Sequence, residues 1–233
     1  MPDLSFAPLL QGDYLAWLLA GLQLSLLLTG LTLLTALPLA VVIALMRISP
    51  WRALNVVGES SVEAVRCVPL LVHMLFWYFG VPELLPDALK ARLYAGHIEI
   101  FSAWAALTLY TAAYMSEDIR SGVRAVPEAQ LQAAMALGFS YLAGMRLVVL
   151  PQALRITVPP LLSQTLNLWK NTSIATVIGT AELMYQAQRV ESATFRGFET
   201  FALVTVAYLS VSLGLTGLGQ WAQHKVSPVG SRR

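Results

Sequence analysis

The sequence predicts an all-α integral membrane protein with about five transmembrane helices. Of its 233 residues, 57% are hydrophobic and only 12% are charged, whereas a soluble domain has about 25% charged residues. Several long stretches carry no charge at all, as expected of helices that cross a bilayer. Basic residues are abundant in alternate segments between these stretches. Together these observations exclude an ordinary soluble domain and a disordered chain.

Five charge-free stretches are the candidate spans, because a helix needs about 20 mostly apolar residues to cross a bilayer. The first stretch is longer than one crossing requires, and Pro38 within it predicts a kink, which membrane helices tolerate. The fourth stretch is short and reaches spanning length only when its polar neighbours are included. The five stretches are residues 14–46, 67–82, 100–116, 171–181 and 200–224.

The basic residues predict the orientation of these spans. With the N-terminus outside, eleven basic residues lie in inside segments and four in outside segments, which accounts for all 15. This bias follows the positive-inside rule, and the opposite orientation would violate it. We therefore expect an odd number of spans, with the N-terminus outside and the C-terminus inside. Glu117 and Arg120, one turn apart at the inner end of the third span, are expected to form an interfacial ion pair.

The inside segment 117–170 is predicted to be a structured loop within a single domain that covers residues 1–233. Pro127 can open a helix, because its missing N–H is not needed at the first position. Gly138 is expected to join two short helices, and Pro151 to end the second. On periodicity alone, an amphipathic hairpin lying on the membrane surface and a docking element for another protein are equally supported.

Composition gives no sign of a catalytic, metal or nucleic-acid site. The single cysteine, Cys67, excludes a disulfide framework and a cysteine-rich metal site. The three histidines, His73, His97 and His224, lie in different segments, so we expect no metal site and no catalytic residues. A net charge of +2 is too small to indicate nucleic-acid binding.

The loop resembles a known motif. Gln132-Ala133-Ala134, then Gly138, then residues 148–151 are similar in type and spacing to the EAA loop of ABC importer permeases. That loop reads E-A-A, three residues, G, nine residues and I-x-L-P. Gln132 replaces the glutamate and Val148 the isoleucine, so an ion pair at the first position is lost, while hydrogen bonding is kept.

The flanking segments are similar to the polar amino acid subfamily of these permeases. Residues 112–122 resemble its A-A-Y-x-x-E-x-x-R-x-G run, and residues 150–155 resemble L-P-Q-A-x-R. Residues 66–73 resemble R-G-T-P-L-L-V-Q, with His73 at the glutamine position. Residues 170–174 resemble K-D-T-S-L, with Asn171 in place of aspartate. The likeness extends from about Arg66 to Tyr208.

The resemblance implies the MetI-like fold of type I ABC importers and a multi-pass protein of the bacterial inner membrane. Its expected partners are two cytoplasmic ATPase subunits, a second permease subunit, a periplasmic or extracellular amino acid binding protein and membrane lipid. ATP and Mg²⁺ would be held by the ATPase subunits, because this chain has no G-x-x-x-x-G-K-[ST] phosphate loop. We expect no cofactor on this chain.

The resemblance also implies the roles of particular residues. The ATPase-coupling set is Gln132, Ala133, Ala134, Gly138, Leu150 and Pro151. Candidate substrate-pathway residues are His73, Lys170, Asn171, Thr172 and Ser173. Purely structural roles remain open for the same residues. Leu150 and Pro151 would then end a helix, His73 would bridge two helices, and the polar residues 170–173 would cap a helix.

The substrate is expected to be a polar L-amino acid. Glutamate or aspartate is favoured by likeness to acidic amino acid permeases, while histidine, arginine, glutamine and opines stay open. A secondary transporter or channel without an ATPase is the alternative. That class predicts inverted repeats or intramembrane acidic residues, and the spans have no Asp or Glu at mid-depth. A membrane enzyme is disfavoured because no catalytic cluster of side chains is evident.

Overall fold

The computed structural model describes residues 4–226, and every regular element within that range is helical. A short 3-10 turn, Ala7–Leu10, precedes the first long helix. Helices α2 and α3 are separated by a bend of 99°. The helices are α1 Gly12–Ile48, α2 Arg52–Arg66, α3 Leu70–Leu84, α4 Asp87–Ala95, α5 Ile98–Arg124, α6 Glu128–Ala136, α7 Tyr141–Ile178, α8 Leu183–Thr194 and α9 Gly197–Val226.

The predicted all-helical membrane fold is confirmed. Its spanning helices differ in length and in how apolar they are. Helices α1, α7 and α9 are each long and apolar enough to cross a membrane, and the bent pair α2–α3 qualifies as a fourth crossing. Helix α5 has 27 residues, which is about 40 Å and ample for a crossing. It is less apolar because it is enclosed by other helices rather than by lipid.

Helix α5 is the centre of the fold. Its face toward α1 carries Ala112 and Met115, which pack against Ala36 and Ala40. Small side chains let two membrane helices approach closely, and packing then replaces the hydrophobic effect as the main attraction. The Thr35 and Thr108 hydroxyls lie 3.0 Å apart across the same interface, so polar groups there bond to each other rather than face lipid.

The prediction of the fourth span is wrong in position. Instead of a helix over 171–181, α7 runs from Tyr141 through Asn171 and tightens to a 3-10 helix over Thr172–Ile178. Pro151 does not end the second helix of the predicted 117–170 loop, because it occupies the first turn of an α-helical stretch that follows a π turn, Met145–Val149. The Gln152 side chain donates to Val148 O at 2.9 Å, so a side chain supplies a hydrogen bond to the backbone there.

Two boundaries of the predicted loop change as a result. Helix α5 extends to Arg124, and α7 takes up residues 141–170, so that residues 125–140 connect the two long helices. Gly179, with φ of 80°, then ends α7 in the left-handed conformation that favours glycine. Helix α7 contains Pro159 and Pro160 in its interior, which a membrane helix accepts when neighbouring groups satisfy the backbone.

Helix α8 lies against the first third of α1. Its N-cap, Glu182, is fully buried and accepts hydrogen bonds from Tyr185 N at 2.9 Å and Met184 N at 3.0 Å. The same carboxylate accepts from Ser25 Oγ at 3.3 Å and Tyr208 OH at 3.2 Å. One carboxylate therefore joins α1, α8 and α9.

Some charges in the orientation argument lie beyond this description. Arg232 and Arg233 are outside the described residues, and so are the side chains of Lys225 and of His224, one of the three histidines considered above.

Candidate functional site

A polar cavity lies between α5 and α7. Its volume is about 280 Å³, near the lower end of the roughly 300–1,000 Å³ typical of small-molecule pockets. Hydroxyl and amide groups dominate its walls, so it offers both donors and acceptors to a small polar molecule. It is lined by Tyr110, Thr111, Tyr114, Gln164, Asn167, Leu168 and Asn171.

The cavity lies well inside the long helices rather than at their ends. Leu168 packs in one cluster with Leu107 of α5, and Trp169 Nε1 donates to Tyr208 O of α9 at 3.3 Å. Leu107 is nine residues inside the start of α5, and Tyr208 is eleven residues inside the start of α9. These offsets correspond to about 14–17 Å along each helix, half the roughly 30 Å of hydrocarbon.

His73, predicted for the substrate pathway, is one side chain away from the cavity. Its Nε2 donates to Val65 O at 3.0 Å, across the bend between α2 and α3. Its ring meets the Tyr110 ring edge-on, with centroids 6.2 Å apart. Tyr110 then contacts Tyr114, with hydroxyl oxygens 3.4 Å apart. His73 thus supports the tyrosine wall of the cavity rather than lining it.

The structure separates the polar run at residues 170–173 into two groups. Asn171 lines the cavity, and Lys170 is exposed one turn after Asn167. Thr172 is fully buried and its hydroxyl donates to Trp169 O at 2.8 Å. The Ser173 hydroxyl donates to Lys170 O at 2.7 Å. The two hydroxyls therefore bond to the backbone where α7 changes to a 3-10 helix.

Asp118 is a functional candidate that sequence reasoning missed. Among the described residues, its Oδ2 is buried without a hydrogen-bond partner. Gln164 of the cavity wall and the Arg66 guanidinium both lie close enough to interact with the carboxyl group. Tyr110, Tyr114 and Asp118 are spaced four residues apart and so share one face of α5. This four-residue spacing is visible in the sequence. It indicates a site only when α7 is known to pack against that face of α5.

A charged network lies at the end of α5 nearest residues 125–140. The predicted Glu117–Arg120 pair is confirmed, with Arg120 Nε donating to Glu117 Oε2 at 3.2 Å. Arg47, from the end of α1, also pairs with Glu117. The Arg47 side chain is only 7% exposed, so the carboxylate neutralises a nearly buried guanidinium. Asn55 of α2 donates to Arg47 O at 2.5 Å and ties α2 to the same corner.

The predicted coupling residues lie on α6 and the start of α7. Gln132 and Ala133 are exposed, while Ala134 is buried and approaches Gly144 closely enough that a β-carbon there would meet it at 3.5 Å. Gly138 joins the two helices with φ of 91°, which an L side chain rarely adopts. Leu150 and Pro151 are exposed on α7, about two turns after Gly144.

This part of the molecule presents apolar side chains that the rest of the chain does not cover. Leu137 is 81% exposed and Leu142 is 78% exposed, and Met135, Tyr141 and Leu147 are exposed around them. A patch of this kind is typical of a surface that contacts another protein or a membrane. Ser140 caps the helix that presents part of the patch, since Ala143 N donates to Ser140 Oγ at 3.3 Å.

Comparison with known proteins assigns the family. Residues 36–228 match the family described as the binding-protein-dependent transport system inner membrane component. A probable glutamine ABC transporter permease of Bacillus subtilis is 38% identical over 180 residues, covering 76% of this chain and 78% of the relative. The glutamate/aspartate import permease of Escherichia coli K12 is 33% identical over 210 residues, covering 88% and 85%.

Solved structures agree with this assignment. A chain from an amino acid ABC transporter crystallised with histidines has a TM-score of 0.84 and 29% identity, covering 96% of this chain and 99% of that one. A chain of an inward-facing methionine ABC transporter has a TM-score of 0.73 at 18% identity, covering 94% and 100%, and shows the shared fold. The predicted permease class is confirmed over a secondary transporter or channel. The chain thus belongs to the family of inner membrane components of binding-protein-dependent transport systems, the non-catalytic permease subunits of ABC importers.

Proposed function

We propose that this chain conducts polar L-amino acids across a bacterial inner membrane. It works with a second permease subunit, two ATPase subunits that hold ATP and Mg²⁺, and a binding protein that delivers the amino acid from outside. The observation that carries this proposal is the polar cavity at mid-depth between α5 and α7. A cavity of hydroxyls and amides in the middle of a bilayer is costly unless a polar solute or water enters it.

The size and chemistry of the cavity fit a free amino acid. Amino and carboxylate groups need acceptors and donors together, and Gln164, Asn167 and Asn171 each supply both. Relatives of this chain are named for glutamine and for glutamate and aspartate transport. We infer the same chemical class here.

We assign the pathway residues different roles within that cavity. Asn171 and Lys170 face or border the solute, and His73 holds the Tyr110 wall through its edge-on ring contact. Thr172 and Ser173 hold the backbone where the helix changes type. Asp118 with Gln164 forms the end of the cavity nearest the charged network of Glu117.

We also infer that the exposed patch around Gly138 docks on the ATPase. Gln132, Ala133 and Ala134 lie on α6, Gly138 sets the angle between α6 and α7, and Leu150 and Pro151 continue into the spanning helix. Because α7 is continuous from Tyr141 to the cavity wall, a rigid-body displacement at the patch reaches Asn167 and Asn171 without an intervening loop. We infer that the coupling segment within the predicted 117–170 loop comprises residues 125–151.

The decisive experiment reconstitutes the complete complex in proteoliposomes and measures ATP hydrolysis and uptake with a panel of labelled amino acids. We expect at least one polar L-amino acid to stimulate hydrolysis and to accumulate inside the vesicles. A complex that hydrolyses ATP but responds to none of them would contradict the proposed function.

The coupling assignment is tested separately with Gly138→Leu. We expect uptake to fall roughly tenfold, in the range of typical coupling energies, while membrane insertion stays normal. Gly12→Leu is the matched control, because Gly12 also has a positive φ, of 58°, and open space around it but lies far from the patch. Equal uptake by the two variants would show that backbone strain, rather than coupling, explains any loss.

A further inference from the structure

The ring of Tyr208, on α9, contacts the back of the cavity wall. Trp169 of α7 is fully buried, and its ring centroid lies 5.0 Å from that of Tyr208. The Trp169 indole N–H also donates to the Tyr208 carbonyl at 3.3 Å. Trp169 directly follows Leu168 and precedes Asn171 by two residues, and both of these line the cavity. The contacts of Tyr208 therefore hold the segment of α7 that carries the lining side chains.

The hydroxyl of the same tyrosine is held from the other side. It donates to Glu182 Oε2 at 3.2 Å and lies close enough to Thr172 of α7 to interact with it. Ser25 Oγ of α1 donates to the same carboxylate oxygen at 3.3 Å and accepts from Leu183 N at 3.1 Å. A hydrogen bond to a carboxylate is stronger than one between neutral groups, so the tyrosine ring is fixed in both position and direction.

A fully buried carboxylate is a costly means of holding helices together. Among residues 4–226, no basic side chain forms an ion pair with Glu182, and apolar side chains of similar volume would hold the same helices at a lower cost in desolvation. What the hydrogen bonds add is direction, because they weaken steeply when their geometry changes. This arrangement therefore suits precise placement of α7 better than it suits stability alone.

The cavity segment of α7 needs such a restraint. At Thr172 the chain changes from an α-helix to a 3-10 helix, and the rotation per residue changes from about 100° to about 120°. The direction of a side chain just before this change depends on where the change begins. A contact at Trp169 fixes the last turn before it, and with it the direction of Asn171.

We propose that Tyr208 is a positioning residue for the cavity. Its ring and carbonyl hold Trp169, Glu182 holds its hydroxyl, and together these contacts set how Asn171 faces the solute. In the described structure Tyr208 does not itself line the cavity, so it acts through α7. The inference rests on the proposed function, since it takes the cavity as the amino acid site, and it extends that site to α9.

Tyr208→Phe tests this role because it removes only the hydroxyl and keeps the ring stack and the backbone carbonyl. The Kd values of labelled L-glutamine and L-glutamate are measured on the purified permease–ATPase complex in nanodiscs, without the binding protein. We expect the Kd of the amino acid that the wild type binds to rise about tenfold, the effect of one hydrogen bond to a charged group. A merely structural role would lower thermal stability and leave the Kd of the folded complex as it is.

Tyr14→Phe is the matched control. Tyr14 is half-buried on α1 and packs edge-on against Trp17, with ring centroids 5.5 Å apart, but no hydrogen bond of its hydroxyl is found within residues 4–226. We expect its Kd to equal that of the wild type. An unchanged Kd in Tyr208→Phe overturns the proposal, and so does an equal rise in the two variants.

A double variant shows whether Tyr208 acts through Asn171. If it does, Tyr208→Phe combined with Asn171→Ala should bind no more weakly than Asn171→Ala alone, because the two changes affect one interaction. Two losses that multiply would mean that Tyr208 affects binding by another route, and would overturn the proposed role.

Hydrogen exchange without any amino acid gives a readout that does not depend on the substrate. In Tyr208→Phe we expect exchange at residues 167–173 of α7 to rise about tenfold, as for the loss of one such bond, with no rise at residues 107–114 on the facing wall of α5. An equal rise on both walls would indicate general destabilisation and overturn the proposal. If no polar amino acid stimulates ATP hydrolysis by the complete complex, the proposed function fails, whereas the exchange comparison still decides the role of Tyr208.

Discussion

Helices α5 and α9 differ in the medium that surrounds them. Helix α5 is less apolar than α1, α7 and α9, although its residues 100–116 carry no charge, and almost half of it is buried, including Ser102, Ser116 and Thr108. Helix α9 is readily recognised, yet only 6% of its most apolar stretch is buried by the rest of the chain. A strongly apolar span therefore indicates a helix that faces lipid or another subunit. A span with more polar residues indicates a helix that is enclosed by the other helices of the same chain.

The two helices also differ in the polar groups that they carry. The enclosed helix carries the tyrosine wall of the cavity, the Asp118 carboxyl and the charged network of Glu117. The peripheral helix carries exposed leucines and valines such as Val206, Leu213 and Leu218. We therefore expect substitutions on α5 to reduce stability strongly and matched substitutions outside it to have little effect.

The largest expected effect is that of Glu117→Gln. This change removes the carboxylate that pairs with both Arg47 and Arg120 and leaves a nearly buried guanidinium unpaired. Breaking such a pair costs about 3 kcal/mol, at the low end for buried pairs because a quarter of Glu117 is exposed. Thermal unfolding of the purified protein measures the loss.

Glu83→Gln is the matched control for this prediction. Glu83, in the last turn of α3, pairs with Lys90 of α4 at 2.6 Å, but its carboxylate is 62% exposed. An exposed pair contributes about 0–1 kcal/mol. Similar losses in the two variants would mean that the Glu117 network is not effectively buried in the membrane-embedded protein.

The next effect compares two glycines directly. At Gly122 of α5, a β-carbon would lie 2.0 Å from Thr157 Oγ1 and 3.3 Å from Ala153 O of α7, whereas nothing lies within 4 Å at Gly217 of α9. We expect Gly122→Val to destabilise the protein by about 2 kcal/mol through overpacking, and Gly217→Val to have little effect. Yield of folded protein and thermal stability in detergent give the comparison. A greater loss in Gly217→Val would reverse the assignment of the enclosed helix.

The same contrast explains which spans could be predicted from sequence. The first, third and fifth stretches are recovered as α1, α5 and α9 because lipid contact or helical packing left them free of charge over a full crossing. The prediction of the fourth span failed because spans were identified by absence of charge, whereas α7 contains Arg155 and Lys170. It also contains two central prolines. A helix that lines a polar cavity carries such side chains, so absence of charge is a poor criterion for a span of this kind.

The candidate site was predictable only in part. The run from Lys170 to Ser173 stood out by its polarity and by its resemblance to a known motif. Tyr110, Gln164 and Asp118 did not, because a tyrosine, an amide or a carboxylate near a helix end is ordinary until the facing helix is known. The cavity that these residues surround forms where α5 packs against α7. The periodicity of a sequence predicts individual helices but not which helices pack together.

The smallest effect concerns how α9 is held. Trp169 is fully buried, stacks on Tyr208 with centroids 5.0 Å apart, and donates its indole N–H to Tyr208 O at 3.3 Å. Trp169→Phe keeps an aromatic ring but removes the donor, so we expect a loss of about 1 kcal/mol. Trp51→Phe is the control, since Trp51 is 72% exposed and should change stability by less than about 0.5 kcal/mol. Because α9 has little other burial, Trp169→Phe should increase hydrogen exchange in α9 near Tyr208 more than in α5. Uniform exchange across both helices would instead mean that α9 unfolds together with the enclosed core.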